Sequence, residues 1–152
     1  MANTMRVEKD FVEFLELLKD QKVKYLIVGA YALALYAEPR NTGDIDFFVD
    51  RSEENAQKIL TVLKLFGFEG LGISIEDLTN ENMVVQLGVP PVRIDILSSI
   101  SGVDFDEAYN SKVKHKFGNT IAFFLSKEHL IKNKIASGRK KDLADLEALT
   151  GN

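Results

Sequence analysis

The sequence predicts an α/β fold: a mixed β-sheet flanked by helices. Three observations lead there. Helical and strand patterns alternate along the chain. Two apolar runs, 83–87 and 92–97, bracket Gly88-Val89-Pro90-Pro91 as an antiparallel hairpin. No repeat, low-complexity segment or linker interrupts the 152 residues, a length that fits one domain.

Each element has its own warrant. Phe11, Phe14, Leu15 and Leu18 fall at i, i+3, i+4, i+7, which predicts an amphipathic helix over 8–20. Val23 to Val28 is β-branched and aromatic, a buried strand that ends at Gly29. Ala30 to Ala37 is rich in helix formers and predicts a short helix. Residues 38–43 have turn composition, and Asp44 to Val49 is the next strand. Ser52 is an N-cap for a helix to about Phe66, with Ala56, Ile59, Leu60 and Leu63 on one stripe. Residues 67–80 are punctuated by glycine and read as mostly irregular. After the hairpin come a helical turn over 104–109 and a last strand over 120–125. Ser126 caps a helix with Leu130, Ile131 and Ile135 facing inward. A final helix from about Lys140 to Leu149 stops at Gly151.

Composition excludes several classes. There is no cysteine, so disulfides and thiolate metal sites are out, and a reducing cytoplasm is the simplest setting. The N-terminus has no apolar signal core, and no apolar run is long enough to span a bilayer, so a cytoplasmic, membrane-free protein is expected. The net charge of -4 is unevenly spread. Residues 111–141 hold nine Lys/Arg against one acid, a net +8, and the rest carries -12. A basic segment in an acidic chain fits an anionic ligand, and equally a solvated lysine surface.

The chemistry lies in the acids within apolar strands. Side chains alternate along a strand, so Asp44 and Asp46 share one face if Ile45, Phe47 and Val49 point into the core. Two carboxylates on one face repel, and each raises the other's pKa unless a cation neutralises them. Asp95 sits between Ile94 and Ile96 in a similar run. Should the two strands be neighbours, three carboxylates converge and make an oxygen-rich site for Mg²⁺ or Mn²⁺, the arrangement that serves phosphoryl transfer. The plainer reading makes Asp44 a turn cap, Asp46 a charge on the sheet and Asp95 the partner of Arg93 or a lysine. Gly29 ends a strand and opens a helix, which turns backbone N–H groups toward whatever lies in front, and phosphate suits them. The two histidines, His115 and His129, lie apart and argue against a zinc site or a histidine-based triad. Phe123 and Phe124 read as core, and there is no Gly-x-x-x-x-Gly-Lys loop.

Taken in order, Val28-Gly29-Ala30, Arg40-Asn41-Thr42-Gly43-Asp44-Ile45-Asp46-Phe47, Ile94-Asp95-Ile96-Leu97, Ile100-Ser101-Gly102-Val103-Asp104-Phe105 and the tail 134–145 resemble the nucleotidyltransferases with the DNA polymerase β-like fold. The likeness is closest to small prokaryotic members related to abortive-infection toxins, and it covers about residues 23–150. It implies a single nucleotidyltransferase-like domain over 1–152, with a catalytic core at about 23–100 and a helical C-terminal part at about 126–150. It implies that Asp44, Asp46 and Asp95 are catalytic and bind metal. Gly29, Ala30, Arg40, Thr42, Lys134 and Arg139 would bind the nucleotide, with Asp142 in support. The wider superfamily carries Ser or Gly where this chain has Ala30, which keeps its N–H but offers no hydroxyl.

The expected activity is transfer of a nucleoside monophosphate from an NTP to a hydroxyl or phosphate on RNA, protein or a small molecule. Two other readings stand beside it. One is a weakly active or inactive nucleotide-binding module in a toxin–antitoxin pair. The other is a nucleic-acid binder that uses the basic segment. The small size also favours a homodimer or an antitoxin-type partner.

Overall fold

The computed structural model describes residues 7–38 and 42–151. In chain order the elements are α1 (Lys9–Asp20), β1 (Tyr25–Val28), α2 (Gly29–Tyr36), β2 (Asp44–Val49), α3 (Glu53–Leu65) and a 3₁₀ turn (Glu69–Leu71). Next come α4 (Glu76–Thr79), β3 (Val84–Leu87), β4 (Arg93–Leu97) and α5 (Phe105–Asn110). The chain finishes with β5 (Val113–Phe117), β6 (Thr120–Phe124), α6 (Lys127–Ser137) and α7 (Lys140–Thr150). Among the described residues the strands form one mixed sheet in the order β3-β4-β2-β1-β6-β5.

The register decides where the chemistry falls. β2 runs parallel to β4, and Asp46 stands opposite Asp95. β1 runs antiparallel to β2, and Val28 stands opposite Asp46. β1 and β6 are parallel, with Ile27 opposite Phe124. The ends of β1 and β6 therefore lie at the same border of the sheet as the starts of β2 and β4. Helices α2 and α6 begin at that border as well.

Both faces of the sheet are covered, which explains why the central strands read as near-continuous apolar runs. Phe47 packs on Phe14 of α1 with ring centroids 5.4 Å apart. Phe48 faces the other way and packs on Phe105 of α5 at 5.1 Å. Asp44 and Asp46 alternate with the Phe47 side and so lie on the Phe105 side.

The predicted caps form. Ser52 Oγ accepts from the N–H of Asn55 at 3.2 Å, and Ser126 Oγ accepts from the N–H of His129 at 3.1 Å. Two features differ from the sequence prediction. Residues 113–117 are a strand that the sequence does not announce, because its three central residues, Lys114, His115 and Lys116, are polar and exposed at the sheet's edge. Ile135 was expected to face inward and is instead 64% exposed. Helix α6 turns Lys134 inward in its place, toward two acids of α7.

Candidate active site

At the border where β2 and β4 begin lies a cleft of about 730 Å³. Asp44, Asp46 and Asp95 form its acidic floor, each offering an oxygen within 4.8 Å of the others. The geometry follows directly from the pairing: Asp46 and Asp95 are register partners, and Asp44 lies two residues from Asp46 on the same face. Asp95 is the most buried, at 5% exposure.

A cation from the chain already tempers this crowding. Arg93 Nη2 donates to Asp44 Oδ2 at 2.7 Å and to Asp95 Oδ2 at 3.1 Å, while Nε donates to Asp95 Oδ1 at 3.0 Å. Thr42 Oγ1 donates to Asp44 Oδ1 at 2.7 Å. The plainer pairing of Asp95 with Arg93 is thus present, and it extends to Asp44. Strand alternation carried this signal, since positions 93 and 95 must share a face.

The three carboxyls respond differently. Burial pushes Asp44 up, but hydrogen bonds from Thr42, Asp95 and Arg93 together hold it below the usual range. Burial raises Asp95 against the hydrogen bonds from Arg93. Asp46, which receives no hydrogen bond from Arg93, is pushed to about 7 by burial and then by the charges of Asp44 and Asp95. A half-buried carboxylate left without its own counter-charge among oxygen donors is what a hard divalent cation neutralises, so the residues fit Mg²⁺ or Mn²⁺.

Gly29 and Ala30 lie on the rim at the start of α2, and Thr42 lies on the loop leading into β2. Gly29 has φ +68°, and a Cβ built on it would collide with Asp46 Oδ2. Glycine is needed here both for the backbone conformation and for the close approach. Arg40 falls outside the described residues.

Lys134, Arg139 and Lys141 also line the cleft and make its basic wall. Lys134 is 5% exposed; its Nζ lies 3.0 Å from Asp145 Oδ2 and 3.4 Å from Asp142 Oδ1. Asp142 is fully buried and accepts from the Arg139 N–H at 3.1 Å, from Arg139 Nε at 2.8 Å and from Ser137 Oγ at 2.7 Å. Burial acts to raise Asp142, yet these bonds and Lys134 together keep it well below the carboxylate range. Asp142 therefore anchors both basic residues at the corner between α6 and α7. Ser101, from the segment 100–105, and Ser99 and Asn133, which no sequence motif marks, add further polar groups to the lining.

The cleft thus combines oxygen donors suited to a cation with basic groups suited to phosphate, beside a helix N-terminus. That combination is chemically suited to nucleotide phosphates. No helix of the described residues is long and apolar enough to cross a membrane. No curated protein matches the chain. A family model described as "Nucleotidyltransferase of unknown function (DUF6036)" matches residues 5–150, nearly the whole length, and the chain belongs to that family.

Proposed function

We propose that the protein is a cation-dependent nucleotidyltransferase of the DNA polymerase β-like kind, acting as a single domain over 1–152. It moves a nucleoside monophosphate from an NTP to a hydroxyl or phosphate acceptor. The observation that supports this best is the gathering of Asp44, Asp46 and Asp95 within 4.8 Å at one end of a cleft with a basic wall.

In this reading the three aspartates hold Mg²⁺ or Mn²⁺. Such an ion supplies a lowered pKa for the attacking hydroxyl and neutralises charge on the leaving pyrophosphate. The chain's own residues do the rest. Backbone N–H groups at Gly29 and Ala30 face the phosphates, with no hydroxyl contact from Ala30. Arg139 and Lys134, fixed by Asp142, line the cleft and orient the triphosphate; Arg40 and Thr42 belong to the loop beside it. The acceptor oxygen forms a bond to the α-phosphorus as the bond to pyrophosphate breaks.

The acceptor is RNA, a protein or a small molecule in the cytoplasm. A homodimer or an antitoxin-type partner would supply a recognition surface for the acceptor. A second reading has a specific observation behind it. Arg93 already engages two of the three carboxylates, which opposes cation binding and favours a catalytically weak or inactive nucleotide-binding member acting as a toxin–antitoxin component or partner-binding module.

The test is label transfer. The protein is incubated with each labelled NTP, Mg²⁺ or Mn²⁺, and cell extract. Transfer that disappears in the Asp44→Ala plus Asp46→Ala variant supports the enzyme. NTP and metal binding without transfer supports the second reading.

A further inference from the structure

Arg93 is a cation in the place where cation chemistry is expected. With Thr42, it gives all four carboxylate oxygens of Asp44 and Asp95 a donor from the chain itself. This arrangement is built into the sheet. Arg93 stands opposite Asp44 across the β2–β4 pair, and Asp95 is two residues further along the same face. A guanidinium is planar and always charged, and its fork of donors matches two carboxylates at once. A lysine could not bridge them in this way. With the three aspartates ionised and Arg93 in place, the cluster has two negative charges remaining, the charge of one divalent ion.

Resting on the nucleotidyltransferase reading above, we propose that Arg93 is a positioning residue that serves as the site's resident counter-ion. It keeps Asp44 and Asp95 gathered in the metal-free protein and competes with a divalent cation for their oxygens. The free protein consequently binds Mg²⁺ or Mn²⁺ weakly, and neutral replacement of Arg93 strengthens that binding. A salt bridge that served the fold alone would behave in the opposite way. Its loss would scatter the carboxylates and weaken cation binding.

The test is Mn²⁺ binding to the full chain without nucleotide, followed by electron paramagnetic resonance, for wild type, Arg93→Gln, Arg93→Lys and Asp46→Asn. Arg93→Gln is expected to bind Mn²⁺ at least about ten-fold more tightly than wild type, since a unit positive charge has left the site. Arg93→Lys is expected to fall between the two. Mn²⁺ should also raise the melting temperature of Arg93→Gln more than that of wild type. Arg93→Lys keeps the charge and carries the comparison should Arg93→Gln not fold. Mn²⁺ affinity that is unchanged or weaker in the folded Arg93 variants overturns the proposal; if Asp46→Asn still abolishes wild-type binding, the nucleotidyltransferase reading survives. If Asp46→Asn binds Mn²⁺ as well as wild type, the three-carboxylate site fails and the proposal fails with it.

Discussion

The carboxylate of Asp46 fills the space that a side chain on Gly29 would need. The two are brought together because Val28 stands opposite Asp46 across the β1–β2 pair. A glycine at a strand end and an Asp-x-Asp in the next strand are separate motifs in the sequence, and in space they are one unit. The backbone that opens α2 is held against the acid that faces the cleft.

Gly29→Ala should therefore abolish nucleotidyl transfer and destabilise the fold by more than the roughly 1 kcal/mol cost of a left-handed backbone alone. In an Asp46→Ala background the collision is relieved, so the same glycine change should cost less there. Denaturant titrations of the four proteins measure the difference. Fully additive losses would show that the close approach is not the cause.

Asp46→Asn should separate stability from activity. Burial and two neighbouring carboxylates raise the Asp46 carboxyl to about 7. A group raised in the folded state contributes stability that is intact below its unfolded value, near 4, and is lost as pH climbs through about 7. The metal-free wild type should accordingly lose stability between about pH 4 and 7, and Asp46→Asn should lose less while carrying no transferase activity. Thermal melting in EDTA across that range reads it out; parallel curves would contradict it.

Thr42→Val removes the hydroxyl that donates to Asp44 Oδ1 at 2.7 Å. A hydrogen bond to a charged group contributes about 1.5 kcal/mol, so kcat/KM should fall roughly ten-fold. The acid limb of the pH–rate profile should move upward, because Asp44 loses one of the bonds that keep it ionised. An unshifted profile would leave Thr42 without this role.

Asp142→Asn should loosen the basic wall. The residue is fully buried and joins Lys134 to Arg139, and breaking a buried ion pair costs about 3 kcal/mol. Because the folded state depresses the Asp142 carboxyl, its stabilisation is complete above about pH 4 and lost as pH falls through the depressed value. Wild type should thus show a steeper acid loss of stability than Asp142→Asn. KM for the NTP should rise in the variant, as Lys134 and Arg139 lose their common anchor. Wild-type KM with intact melting would argue against the anchor.

The acidic floor was legible because acids in apolar strands break the expected pattern, and period-two alternation says which face they take. The same alternation held the clue to Arg93, but an arginine beside an aspartate is so ordinary that only the register with Asp44 shows its reach. Lys134 was assigned to phosphate by resemblance, and nothing local predicted its burial: its two acids come from the following helix. The displaced Ile135 is the same fact seen from the other side, since an ion pair took the inward position that helical periodicity assigned to an apolar residue. Edge strand β5 escaped because its lysines face water and leave no apolar alternation to see.

The parallel alignment of β2 with β4 bears on how this protein can change. The two strands lie side by side, although α3, α4 and β3 intervene along the chain. Residues inserted in the irregular stretch between α3 and β3 would lengthen an excursion and leave all three acids where they are. One residue inserted within either strand would turn the acids after it to the opposite side. New recognition surfaces can therefore be grafted onto the excursion, while the two short strands tolerate no change of length.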